Sequence, residues 1–332
     1  MRRKLKGYFM LFRILPVLVW SFTGTLVGTA LAVMDIHEIK WMPFLLVLMT
    51  CSLVQGYPTH IINEVFDWRS GADGRDLGEK KSGGSKVLQA GLLEIKDLWL
   101  AFVVSHLVLG ILVIACALVI NSKIVYYFIL PGYLSGLFYS LPPFRFSYRP
   151  FLGEWLGGFA GIFLLVLGSY FAQTSAISPY SILIAGALGL IYIAIMTFFH
   201  YLDFENDQLA TPVKNTTVVY LGLEGSRRYA YFCLLLSAIV FLVGLFNFQF
   251  QQIPLWLLSM VVFFSHKRID LRDELSIIKW GKVITYAAIL AGLSFAALAK
   301  PILSLMVLPA AISFWAHKRF GKLRGLSLPT SS

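Results

Sequence analysis

Charge is what this sequence has least of. Asp, Glu, Lys and Arg make up 14% of its 332 residues, while 58% are hydrophobic. Soluble domains carry about 25% charged residues, so most of this surface cannot face water. A bilayer is the solvent that suits a mean hydropathy of +0.75. Cysteine is nearly absent as well. Cys51, Cys116 and Cys233 each sit inside an apolar run and no CxxC occurs, which excludes a disulfide framework and a thiolate zinc site. The apolar runs lack polar–apolar alternation, which excludes a transmembrane barrel. The glycine-containing stretch 82–93 lacks GxxxxGK[ST], so it is no Walker motif.

What is present is a series of apolar runs near the length of about twenty residues that spans a bilayer as a helix. They lie near 14–34, 42–62, 98–120, 124–141, 152–174, 180–202, 228–248, 252–266, 283–299 and 301–316. The last two are parted only by Lys300-Pro301 and are either two spans or one broken element. The expected fold is all-α, a polytopic bundle of nine to ten transmembrane helices forming one domain over 1–332, with loops 63–97 and 203–227 capping a site. The basic segment 1–13 followed by an apolar run with Ala30-Leu31-Ala32 superficially resembles a signal peptide. The run is too long for one, and it reads as a retained first span.

With the N-terminus inside, all of the 28 lysines and arginines except Lys40, Lys123 and Lys300 fall on one side. The positive-inside rule makes that side cytoplasmic, and the expected home is a cell or inner membrane. The net charge of +11 is thus a topology signal with attraction to anionic lipid headgroups, and no nucleic-acid partner is expected. Of the acids only Asp35 and Glu38 lie on the outer face, so the chemistry belongs to the inner one.

Two inner segments carry it. His60-Ile-Ile-Asn63-Glu64-Val-Phe-Asp67 continues through Gly71 to Asp73, and His200-Tyr-Leu-Asp203-Phe-Glu-Asn-Asp207 follows the sixth run. His60, Asn63 and Asp67 match His200, Asp203 and Asp207 at offsets of three and seven. Each pair spaced by four shares a helix face, and Gly71 lets the chain bend Asp73 back towards Asp67. Such a weak internal repeat suggests two related halves offering hard oxygen ligands to one site. Asn63, Asp67, Asp73, Asp203 and Asp207 are the candidate ligands, and Mg2+ is the ion that combines a few carboxylates with substrate phosphates. Lys80, Lys81, Lys86, Arg145, Arg149 and Lys214 are candidates for the remaining phosphate oxygens, or simply topology residues. His60 and His200 are candidate bases, outer-shell donors, or polar groups at helix ends.

At these residues the sequence resembles the UbiA superfamily of intramembrane prenyltransferases, which carries an NDxxD-type motif after its second span and a DxxxD motif after its sixth. The likeness covers roughly residues 10–300. The Gly71-x-Asp73 ending resembles the 1,4-dihydroxy-2-naphthoate prenyltransferases of menaquinone synthesis. So do Tyr139, Pro142-Pro143, Arg145, Tyr148-Arg149, Gly153-Glu154, Leu167-Gly168-Ser169-Tyr170, Gln173-Thr174, and Lys214 with Thr216-Thr217. The chain departs from that pattern at Glu64, where Asp is usual, and at Phe199-His200-Tyr201-Leu202, where Asn-Asn and an Arg are usual.

The resemblance implies a Mg2+-dependent transfer of a polyprenyl group from its diphosphate to an aromatic acceptor. Asp67 and Asp203 would carry the catalytic metal, and Tyr139 would stabilise the allylic cation through its ring, with Phe138 and Tyr170 as further candidates. Lys86, Arg145, Arg149 and Lys214 would bind substrate. The alternatives are the same transfer to another acceptor (a hydroxybenzoate, a glyceryl phosphate lipid, a tetrapyrrole or a sugar phosphate) or a cation transporter with acidic metal sites. Segment 82–93 is expected to form a short interfacial helix and a mobile cover.

Overall fold

The computed structural model describes residues 2–73, 84–247 and 249–321. Ten helical units follow one another: α1 Arg2–Ile36, α2 Trp41–Ser70, α3 Ile95–Ile120, α4 Lys123–Phe138, α5 Gly153–Thr174, α6 Pro179–Leu209, α7 Thr217–Phe246, α8 Ile253–Arg268, α9 Glu274–Ala299 and α10 Pro301–Phe320. Eight are long and apolar enough to cross a membrane; α4 and α8 are shorter. No strand occurs among the described residues. The molecule is an all-α polytopic bundle.

Burial sorts the helices. α1 and α6 form the centre, where Leu26, Val27 and Leu31 meet a core that includes Leu188, Ile191 and Ile195. α3 instead turns Leu100, Val103, Leu107, Ile111, Ile114 and Leu118 outwards, the apolar exposure of a lipid-facing helix. Small residues let the central helices approach. A Cβ on Gly28 of α1 would stand 2.2 Å from the Val166 carbonyl oxygen of α5, the close contact on which helix association in lipid depends. Lys300 is extended and Pro301 opens a 3-10 turn, so α9 and α10 are separate elements.

The helices also reach further than the apolar runs. α6 continues to Leu209, and α7 begins at Thr217, where the Thr216 hydroxyl accepts the Val219 N–H. Residues 203–209 are therefore helical, as are 217–227 apart from a break at Gly222, φ +70°, and α2 carries Asn63 and Asp67 inside its last turns. Hydrophobicity ends where water begins, but helical hydrogen bonding does not, which is why the runs understate the helices. At Ser70, α2 stops because Gly71 takes a left-handed conformation, φ +79°, open to glycine without a Cβ penalty. Residues 84–94 form turns rather than a short helix; Glu94 and Asp97 then cap the start of α3 reciprocally.

Candidate active site

The inner ends of α2 and α6 lie side by side. The Thr211 N–H after α6 donates to the Ser70 carbonyl at the end of α2, 2.8 Å away. Between them stands Lys214, buried, its Nζ 2.8 Å from Asp67 Oδ2 and 3.7 Å from Asp207 Oδ1. The two acidic segments thus face one another across a single ammonium. Burial opposes that charge, but Asp207 and Asp67 outweigh it and hold Lys214 well above the ordinary lysine range.

Asp67 is saturated. Its Oδ2 also accepts Asn63 Nδ2 at 2.6 Å, and its Oδ1 accepts the Tyr148 hydroxyl at 3.1 Å. Asn63 Nδ2 reaches Ser140 Oγ as well, at 3.1 Å. Asp73, turned back by Gly71, is buried beside Glu64. Asp73 Oδ1 accepts the Gly84 N–H at 2.8 Å and Glu64 Oε2 accepts the Ser85 N–H at 2.6 Å. Burial, reinforced by Asp67 and Glu64, pushes the Asp73 carboxyl well above its usual range. Asp203 lies one turn before Asp207 and is half-buried, whereas Asp207 is fully buried.

Among the described residues, Glu64 Oε1, Asp73 Oδ2 and both carboxylate oxygens of Asp207 are buried without a hydrogen bond. Buried acceptors are normally satisfied, and hard anionic oxygens left bare on both halves suit a hard divalent cation. The described acids and histidines nevertheless do not converge as a ready-made group of three. Lys214 stands between Asp67 and Asp207.

The other expected residues divide. Lys86 is buried and its ammonium donates to the Asp73 carbonyl oxygen, so it braces the turn beside the acids. Arg145 lies with its guanidinium 5.3 Å from the Tyr148 ring and 5.9 Å from Phe66, next to α2. Its Nε is buried with no hydrogen-bond partner among the described residues. Arg149 is exposed and donates to Pro143 O at 3.2 Å, so it is not gathered in. Tyr170 is not gathered in either: its hydroxyl bonds Asp35 near the opposite face, because position 170 is near the far end of α5. Phe138 packs on Phe144 with ring centroids 4.4 Å apart. Lys80 and Lys81 lie outside the described residues.

Tyr139 is where expected, but in unexpected company. Its hydroxyl is 3.0 Å from His200 Nε2, His200 Nδ1 is 3.0 Å from Glu154 Oε1, and Glu154 Oε2 accepts the Thr217 hydroxyl at 2.5 Å. Tyr148, Glu154 and Thr217 had been visible only as parts of a motif. A lone Glu inside an apolar run, expensive in lipid unless partnered, is the signal that could have singled out Glu154.

The comparisons with known proteins agree with this geometry. The chain is 29% identical over 245 residues to the 1,4-dihydroxy-2-naphthoate octaprenyltransferase of Escherichia coli (strain K12), covering 71% of this chain and 74% of that one. It is 28% identical over 206 residues to the enzyme of the same name from Bacillus subtilis (strain 168), covering 62% and 63%. In fold it is similar to a UbiA homologue from Archaeoglobus fulgidus bound to DMAPP and Mg2+, with a TM-score of 0.61 at 18% identity, covering 88% of this chain and 99% of that one. Residues 21–285 match the model of the UbiA prenyltransferase family; with two acidic helix ends facing one another at the core of that match, the chain is a membrane-embedded prenyltransferase and belongs to this family.

Proposed function

We propose that the protein transfers a polyprenyl group from its diphosphate to an aromatic acceptor, with 1,4-dihydroxy-2-naphthoate as that acceptor and menaquinone synthesis as the setting. The observation that carries the reading is the pairing of Asp67 and Asp207 across Lys214, flanked by bare carboxylate oxygens on both halves. The names of the two bacterial relatives support the naphthoate acceptor, as does the Gly71-x-Asp73 spacing. The Mg2+ and DMAPP in the archaeal homologue support a divalent ion and an allylic diphosphate.

Asn63, Asp67, Asp73, Asp203 and Asp207 would hold Mg2+, with Glu64 beside them. When bound, the ion supplies Lewis-acid neutralisation of the departing diphosphate. The chain's own groups do the rest. Lys214 remains cationic and offers its ammonium to phosphate oxygens once the acids have another counter-ion. Arg145, with an unused buried Nε, is a second donor on the α2 side. The ring of Tyr139, lying against Gly153 and Gly157, presents π density where an allylic cation needs it. The surrounding bundle excludes water while that cation exists. On this reading the protein sits in the cell or inner membrane with the acidic helix ends cytoplasmic, an orientation that the lysine and arginine distribution supports.

Purified protein given labelled polyprenyl diphosphate, dihydroxynaphthoate and Mg2+ should yield the prenylated naphthol, and EDTA or Asp67→Ala should abolish it. A folded, monodisperse preparation that prenylates no aromatic acceptor would overturn the reading. One observation favours a different aromatic ring: Phe199-His200-Tyr201-Leu202 replaces the residues usual in naphthoate enzymes. A hydroxybenzoate offered in the same assay separates the two.

A further inference from the structure

Glu154 is a carboxylate that the diphosphate site does not use. It sits in the π-helical opening of α5, Gly153–Phe159, and is 1% exposed. Among the described ion pairs its partner is His200, not a lysine or arginine. Four elements converge to hold this arrangement: Tyr139 at the end of α4, Glu154 in α5, His200 in α6 and Thr217 at the start of α7. The Phe151 N–H fixes the Thr217 hydroxyl from behind, at 2.7 Å.

The partners assign the protons. Thr217 must donate to Glu154 Oε2, because its oxygen already accepts from Phe151. A carboxylate only accepts, so His200 presents its Nδ1–H to Glu154 Oε1, and in the neutral imidazole Nε2 keeps a lone pair. That lone pair takes the Tyr139 O–H. The arrangement is a carboxylate, an imidazole and a hydroxyl in hydrogen-bonded series, which is the layout by which enzymes withdraw a proton through a hydroxyl. Ser140, the residue after Tyr139, accepts from Asn63 of the first acidic segment at 3.1 Å, so the series ends beside the two acidic segments.

We infer that Glu154, His200 and Tyr139 form a proton relay that ionises the ring hydroxyl of the acceptor as the allylic group leaves its diphosphate. The inference rests on the aromatic-acceptor reading. The acceptor O–H bond breaks as its proton passes to Tyr139 Oη, and the Tyr139 proton crosses to His200 Nε2, where Glu154 faces the imidazolium. The electron pair of the phenolate, delivered at a ring carbon, forms the new C–C bond while the allylic C–O bond breaks and diphosphate keeps that pair. The proton displaced from the ring carbon leaves with diphosphate. Loss of that ring proton restores aromaticity, and the His200 proton returns through Tyr139 to the ring oxygen, which restores the hydroxyl and the resting relay. Tyr139 is the catalytic residue of the three; His200 and Glu154 are positioning residues that act through it.

The test is a series of aromatic acceptors of graded hydroxyl acidity, for example fluorinated analogues of one ring, measured at fixed pH with wild type, His200→Gln and Tyr139→Phe. Positioned proton transfer contributes about 10²–10⁴-fold, so each variant should lose about 100-fold on the least acidic acceptor. On an acceptor already ionised in solution the loss should shrink to about 3-fold, because no proton remains to be drawn. A loss of the same size across the series, or no loss, overturns the relay. Tyr139→Phe removes one oxygen from a half-buried residue, so it decides the matter if His200→Gln fails to fold. If the wild type itself prenylates no member of the series, the aromatic-acceptor reading falls and the relay with it; a uniform loss in an otherwise active enzyme defeats the relay alone.

Discussion

Lys214 and Asp67 form a buried ion pair, 2.8 Å between Nζ and Oδ2, that joins the α6–α7 connection to the end of α2. In the metal-free protein this ammonium is the counter-ion of both acidic segments. Removing one partner of such a pair costs about 3–5 kcal/mol, because the other charge is left buried and alone. Lys214→Met should therefore lower the melting temperature in EDTA, and Mg2+ should raise it by more than it raises that of the wild type. Scanning fluorimetry in detergent reads both, and equal Mg2+ shifts in the two proteins would count against the arrangement.

Loss of a metal ligand should be felt alike on both halves. Asp67→Asn and Asp207→Asn are each expected to reduce prenyl transfer by about 100-fold, and excess Mg2+ should restore part of it. Retention of full activity by either variant would place the ion elsewhere. Radiolabelled product measured against Mg2+ concentration is the assay.

Gly84 guards the α2 half. A Cβ there would fall 2.3 Å from Glu64 Oε2 and 2.6 Å from Asp73 Oδ2, so Gly84→Ala must part the two carboxylates. Overpacking of this kind costs about 1–3 kcal/mol. The expected signature is a KM for polyprenyl diphosphate raised about 10-fold, the strain having been converted by the constant of about 1.4 kcal/mol per decade. An unchanged KM would show that the turn yields freely.

Gly28 tests the bundle itself. With a Cβ destined for 2.2 Å from the Val166 carbonyl oxygen, Gly28→Val should destabilise by about 1–3 kcal/mol or more. Gly110→Val, on α3 with nothing within 4 Å, should leave the melting temperature unchanged within a degree or two. Similar behaviour of the two variants would contradict the packing of α1 on α5.

Orientation has its own check. Cysteines placed at exposed Glu205, beside the α6 acids, and at exposed Lys123, between α3 and α4, should react oppositely with an impermeant maleimide in intact cells. Lys123→Cys should label from outside, and Glu205→Cys only after permeabilisation. The reverse pattern would turn the protein over in the membrane.

Much of this was legible in the sequence because lipid imposes simple rules. Apolar runs located the helices, and matched offsets pointed to the two acidic helix ends, of which Asp67 and Asp207 meet across Lys214. What stayed hidden depends on direction rather than spacing. Arg149 and Lys214 look equally suitable as phosphate ligands, yet Arg149 turns to Pro143 O and Lys214 turns inward to Asp67. Tyr170 and Tyr139 are both aromatic residues near glycines, but the helix length of α5 carries Tyr170 to the Asp35 side. The His200–Glu154 pair joins residues 46 positions apart on different helices, and no periodicity relates them.

The bond from Thr211 N–H to Ser70 carbonyl oxygen is made by main-chain atoms alone. Any substitution at either position keeps it, except proline at 211, which has no N–H to give. The spacing of the two acidic helix ends is thus insulated from drift in side-chain identity. Side chains near those ends that make no such bond, Phe199 and Leu202 among them, can change without touching this main-chain link. A family that diversifies its acceptors and keeps its donor is the outcome such a scaffold makes easy.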